Sequence, residues 1–163
     1  VNEDRVADIV GQWRRERPDL DPSPLLVIGR IQYLAEVLDA ALRPLFAAAG
    51  LGNGEFDMLA ALRREGEPYA LTAGQLSERM LVTTGAVTKR VDRLIARGLV
   101  ARSVSEVDAR GRVVGLTPSG VTLTDRLIEE HLANEAAILG GLTDSDRKAL
   151  ERLLAKLTRT AGS

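Results

Sequence analysis

Lys89, Arg93, Arg110 and Arg112 stand out in this 163-residue chain by type and spacing, and the chemistry they offer is charge-assisted hydrogen bonding to phosphate. They fall in a stretch, residues 83–112, that holds seven basic side chains (Lys89, Arg90, Arg93, Arg97, Arg102, Arg110, Arg112) against three acidic ones (Asp92, Glu106, Asp108). The rest of the chain carries fifteen basic against twenty acidic residues, so the net charge of −1 hides a strongly positive segment. Such asymmetry is the electrostatic footprint of a surface that meets nucleic acid. Covalent and metal chemistry are disfavoured. With no Cys there is no disulfide or thiol nucleophile, and the single His131 leaves little for zinc ligation or general base catalysis. No Gly-rich phosphate loop and no paired-carboxylate motif are present. The expectation is therefore no catalytic residue, no metal site, no cofactor and no enzymatic activity.

The elements that must position these cations are legible around them. Thr72 and Gln75 form a capping box for a short helix, 72–80. A second helix starts at Thr83-Thr84-Gly85 and runs to Arg97, with Gly98 placed for a left-handed cap. Two strands, Leu99–Ser103 and Val113–Leu116, flank a charged tip, Asp108-Ala-Arg110-Gly-Arg112. This is a winged helix-turn-helix pattern, which sends its second helix into a major groove and its hairpin toward the neighbouring minor groove. On a helical wheel Val87, Val91, Leu94 and Ile95 form the core stripe. Gly85, Lys89, Asp92, Arg93 and Ala96 lie opposite. The small residues Thr83, Thr84 and Gly85 let the helix end approach phosphates, and Thr88 and Lys89 are placed for base edges. At the tip, Asp108 can hold Arg110 in a bidentate pair and aim it, with Arg112 beside it, at a narrow minor groove. The predicted DNA-facing set is Thr83, Thr84, Gly85, Thr88, Lys89, Arg93, Asp108, Arg110 and Arg112.

Helices flank this motif. One covers residues 3–16 and contains Trp13, the only Trp. The three prolines of 17–24 break it, and a long helix follows from about Leu25, with Pro44 kinking it or starting a new turn. Asn53 is read as the N-cap of a helix over 55–64. Thr117-Pro118 opens a helix that ends near Leu139 before Gly140-Gly141, and Thr143 with Asp146 starts the last one, ending near Thr158. The expected fold is mainly α with a small β-hairpin wing: one domain over 1–163, with a helical dimerisation region (1–50 and 118–163) around the DNA-binding region (51–117). The expected partners are double-stranded DNA and a second copy of the chain. The apolar runs are too short to span a bilayer and the N-terminal stretch lacks an apolar signal core. The expectation is a cytoplasmic protein with no membrane contact.

Four further residues invite a second reading. Asp57 lies in an otherwise uncharged helical segment, where an acid is either partly buried and in need of a partner or a first-turn acid offsetting the helix dipole. Arg90 falls at the flank of the core stripe and points back into the domain, and Arg102 on the first wing strand converges on the same place. Two arginines and one acid leave positive charge over for an anion. Trp13 is either a flat stacking surface or a core anchor for its own helix.

Asp108-x-Arg110, followed after five residues by Leu116-Thr117, resembles the wing signature of the MarR family of transcription regulators. Thr84-Gly85-Ala86-Val87-Thr88, Arg93-Leu94, Gly98-Leu99-Val100 and Arg102 are similar to the same family's recognition helix and first wing strand, and the helix order matches over nearly the whole chain. The resemblance implies a homodimer, built from its terminal helices, that represses from a pseudo-palindromic operator until a small ligand releases it. Ala109 departs from the Arg often found there, which implies weaker minor-groove binding or compensation by Arg112. Trp13, Asp57, Arg90 and Arg102 resemble in type and order the residues of family members that respond to urate or other purines. That subgroup implies that an anionic purine such as urate or xanthine pairs with Arg90 and Arg102, stacks near Trp13, pushes on Asp57 and shifts the recognition helix. Two alternatives are a regulator that senses a phenolic acid in the cleft between the dimer and DNA-binding regions, and a winged-helix protein-interaction module in which the 83–112 charge is unimportant.

Overall fold

The computed structural model describes residues 4–80, 83–104 and 112–161. Its elements run α1 (Arg5–Glu16), α2 (Leu25–Ala48), α3 (Glu55–Arg64), β1 (Ala70–Thr72), α4 (Ala73–Met80), α5 (Thr84–Ala96), β2 (Val100–Val104), β3 (Arg112–Leu116), α6 (Pro118–Ile138) and, after a 3₁₀ turn at Leu139–Gly141, α7 (Asp144–Ala161). The fold is mainly helical with a small antiparallel sheet, as the sequence predicts. The chain divides into two compact units, one ending at Pro44 and one beginning at Leu45. Pro44 lies inside α2, where its missing N–H weakens the helical ladder.

Local signals set most of the boundaries. The capping box of α4 is formed reciprocally: the Gln75 N–H donates to Thr72 Oγ1 at 3.2 Å, and the Thr72 N–H donates to Gln75 Oε1 at 2.9 Å. Thr83 caps α5 by accepting from the Ala86 N–H. Gly98 sits at φ +68°, and the Leu99 N–H returns to the Leu94 carbonyl at 3.0 Å, the left-handed stop that glycine adopts without steric cost. Thr117 caps α6 from the Gly120 N–H, with Pro118 in the first turn, and Thr143 caps α7 from the Asp146 N–H. One cap differs from expectation. Asn53 does not cap α3; Gly54 occupies the cap position at φ +70° without a side-chain bond.

The sheet has the order β1-β3-β2. The hairpin is the expected one, with Arg102 opposite Val114 and Val104 opposite Arg112. The additional strand, β1, pairs Leu71 with Val114. The core of the second unit gathers Met58, Leu59 and Leu62 from α3, Leu71, Leu76, Val87, Val91 and Leu94, with Leu99, Val100 and Val114 from the wing base and Leu127 from α6. The wheel's stripe is thus the buried face of α5, with Val87 and Leu94 fully buried and Val91 nearly so. Arg63 joins α3 to α6 through a bidentate pair with Asp125, at 2.7 and 3.3 Å.

Candidate nucleic-acid interface

α5 presents Thr83, Gly85, Thr88, Lys89, Asp92 and Arg93 to solvent. Arg112 opens β3 and is exposed. Asp108, Arg110 and the side chain of Thr84 lie outside the described residues. The exposed set places cations and small N-terminal residues on one helix face beside the wing strands, as a major-groove reader requires.

Three arginines of α5 and its C-terminal cap turn toward the segment that leads into α3. Arg97 donates from Nη1 to the Gly50 carbonyl at 2.7 Å and from Nη2 to the Ala49 carbonyl at 2.8 Å. It thereby satisfies carbonyls left open at the end of α2. Arg90, half-buried as the wheel placed it, rests its guanidinium on Gly54: a Cβ there would lie 2.6 Å from Nη2 and 2.7 Å from Nη1. Only a glycine leaves room for that approach, and its φ of +70° favours glycine independently.

Arg93 donates from Nε to Oε1 of Glu55, while Oε2 of Glu55 accepts the Gly52 N–H at 2.7 Å. Glu55 is only 3% exposed and is the buried acid of α3. Asp57, expected to be partly buried, is exposed on the first turn of the same helix, where it offsets the helix dipole. Sequence reasoning singled out Asp57 and passed over Glu55. The signal was present: Glu55, Leu59 and Leu62 share one helical face, and Asp57 falls off it.

Burial pushes the Glu55 carboxyl up, but the Arg93 hydrogen bond, the Gly52 N–H and the charges of Arg93 and Arg97 outweigh it and hold the carboxyl below the usual glutamate range. A depressed folded value stabilises the protein above the unfolded glutamate pKa of about 4.3. That stability disappears as pH falls through the lower folded value. The wild-type minus Glu55→Gln difference in urea midpoint is therefore expected to shrink as pH drops from 6 toward 3; a difference that does not change over that range would refute the pairing.

The proposed anion ligands are placed as follows. Arg102 pairs from Nη2 with Oδ1 of Asp92 at 2.7 Å, linking β2 to the outer face of α5. Arg90 reaches the start of the helix that carries Asp57, whereas Asp92, which holds Arg102, lies on the opposite side of α5, so the expected convergence of Arg102 on Arg90 is not seen. Among the described residues no ion pair joins Asp57 to either arginine. Trp13 belongs to the first unit, is 48% exposed, and lines a mostly apolar cavity of about 260 Å³ with Leu20, Asp21, Pro22, Pro24 and Leu25.

A family model described as the MarR family matches residues 49–111, the stretch from the loop before α3 through β2, ending just before β3. The HTH-type transcriptional regulator PecS of Dickeya dadantii (strain 3937) is 40% identical over 154 residues, covering 94% of this chain and 93% of that protein. This chain belongs to the MarR family. As a MarR-family protein it is a DNA-binding transcriptional regulator and not an enzyme. Its fold matches the structure of a MarR family protein from Bacillus stearothermophilus with a TM-score of 0.72 at 26% identity, over 88% of this chain and 99% of that one. It also resembles BpsR of Bordetella bronchiseptica, whose DNA binding is regulated by 6-hydroxynicotinic acid, with a TM-score of 0.67 at 26% identity over 80% of this chain and 92% of that one. No helix among the described residues of this MarR-family chain is long and apolar enough to cross a membrane.

Proposed function

We propose that this regulator is a cytoplasmic, homodimeric repressor that leaves a pseudo-palindromic operator when a small anionic ligand, a urate- or xanthine-like purine, binds to Arg90 and Arg102. The observation that carries this reading is the position of Arg90. It sits on the recognition helix but is turned from its outward face onto Gly54, with no ion pair among the described residues. Its charge is thus available to an anion, and any ligand that draws it moves α5. A ligand acts in this way only as far as it prefers the state that cannot bind DNA. Arg102 enters through its pair with Asp92, which an anion would have to displace. Trp13 offers an exposed indole for stacking. Dimerisation is supported by apolar side chains left exposed along α2 (Val27, Ile31, Leu34) and α7 (Leu150, Leu153, Leu154), faces that a second copy would cover. The DNA-facing set is that predicted from the sequence, with Arg93 acting from beside Glu55.

The likeness to BpsR favours one alternative, an aromatic acid as effector. A gel shift on the intergenic DNA upstream of the chain's own gene separates the two. Urate or xanthine should release the duplex and salicylate should not; release by salicylate alone would favour the aromatic acid. Arg90→Ala and Trp13→Ala should each raise the purine concentration needed for half-release about tenfold or more while the folded dimer persists. Unaltered release of the double variant would exclude this site.

A further inference from the structure

We infer that Glu55 is a positioning residue for DNA binding: a buried carboxylate that holds the Arg93 guanidinium by Nε and thereby aims its two terminal amino groups at the DNA backbone. The inference rests on the DNA-binding activity of the family and assigns a role to a residue that is itself buried.

The geometry makes this more than a local ion pair. Each carboxylate oxygen of Glu55 has its own partner, Oε1 the Arg93 Nε and Oε2 the Gly52 N–H, so the group cannot rotate freely. Gly52 is packed close against it: a Cβ there would lie 3.4 Å from both Cδ and Oε1. Glu55 is buried, whereas the Arg93 side chain is 56% exposed. One end of the pair is therefore fixed in the domain while the other emerges on the face that carries Thr88, Lys89 and Asp92. A guanidinium has five donors in a rigid planar fork. Engagement through Nε leaves both Nη groups without a hydrogen bond among the described residues, on a side chain that is itself more than half exposed. That fork matches two phosphate oxygens. A free arginine on a helix surface loses rotamer entropy when it takes up such a contact; an arginine already held by Nε has less to lose.

A purely structural role for Glu55 makes a different prediction, and the sign of the effect separates the two. Removing an acid beside a DNA-binding surface weakens repulsion from phosphate and, by charge alone, tightens binding. If Glu55 aims Arg93, Glu55→Gln should loosen binding instead. The experiment is a double-mutant cycle with Glu55→Gln and Arg93→Gln, using a duplex selected by the wild type from a randomised pool, at a temperature where thermal melts show every variant folded. Glu55→Gln is expected to weaken binding about fivefold to tenfold in the wild-type background and to have no effect in the Arg93→Gln background, with both single variants lowering the salt slope equally. Arg93→Lys, which keeps the charge but has no Nε, provides a second arm that leaves Glu55 with a cation and should also weaken binding about fivefold. Unchanged or tighter binding by folded Glu55→Gln, equal losses in both backgrounds, or full binding by Arg93→Lys would each overturn the role of Glu55. A wild type that selects no duplex would overturn the DNA-binding reading as well.

Discussion

Gly120→Ala is expected to be the most damaging single-methyl addition in the second unit, lowering stability by about 3 kcal/mol, the upper part of the range for overpacking a close-packed site. Gly120 is buried in the first turn of α6. A Cβ there would fall inside the van der Waals envelope of the Leu99 carbonyl oxygen, 3.1 Å from the Leu99 carbonyl carbon and 3.2 Å from Leu116 Cδ2. The obstacle is backbone, and that backbone is engaged: the Leu99 carbonyl accepts the Thr117 N–H at 3.1 Å, and Thr117 Oγ1 donates to the Gly98 carbonyl at 2.7 Å. The start of α6 is thus laid directly on the turn that ends the recognition helix and begins the wing. In an open helix interior the same substitution would stabilise by about 1 kcal/mol through propensity, so the expected sign depends on this seat. Urea denaturation reads it as a lower midpoint at unchanged m. A midpoint at or above the wild-type value would mean that α6 is not seated on Leu99.

The sequence was most legible where a single periodicity dominated. Val87, Val91 and Leu94 lie on one stripe at helical spacing, and the structure buries all three; Thr72, Gly98, Thr117 and Thr143 mark helix ends because each cap needs only residues within a turn of it. β1 was not legible because three residues are too few to show alternation, and Thr72 already had a reading as a cap. The Asn53 cap failed because a glycine in the left-handed region followed by the Glu55 side chain on the Gly52 N–H solves the same problem differently. The candidate site was legible in residue type but less so in partnership. The wheel put Arg90 at the flank and Arg93 outside, and both positions hold. That Arg93 is held by Glu55, 38 residues away, and Arg102 by Asp92 across a helix–strand junction, depends on tertiary approach that no local pattern encodes.

Replacing Lys89 and Arg112 together with Ala is expected to have the largest effect on DNA affinity. Both are exposed, Lys89 on the outward face of α5 and Arg112 at the start of β3. Neither forms an ion pair among the described residues, and both are expected to meet phosphate. In the proposed homodimer the double variant would remove four cations from the interface. Each neutralised phosphate contributes about 0.9 to the slope of log affinity against log salt, so the slope should become shallower by about 3.6. Extrapolated along that slope to about 0.15 M salt, this corresponds to an affinity loss of about 1000-fold. Lys148→Ala on α7 is the matched control: it removes an exposed cation outside the winged motif and should leave the slope unchanged. The slope is the decisive reading because it counts phosphate contacts without requiring the operator to be known. A drop near 1.8 would assign the contact to one of the two residues, and the single variants would show which. An unchanged slope would remove both from the interface and, with them, the link between the positive charge of 83–112 and DNA. The stakes are high because the rest of the chain is net acidic, so the protein approaches a polyanion against its own average charge. Its affinity must then come from a few well-placed cations, and losing two of them per protomer should cost more than it would in a uniformly basic protein.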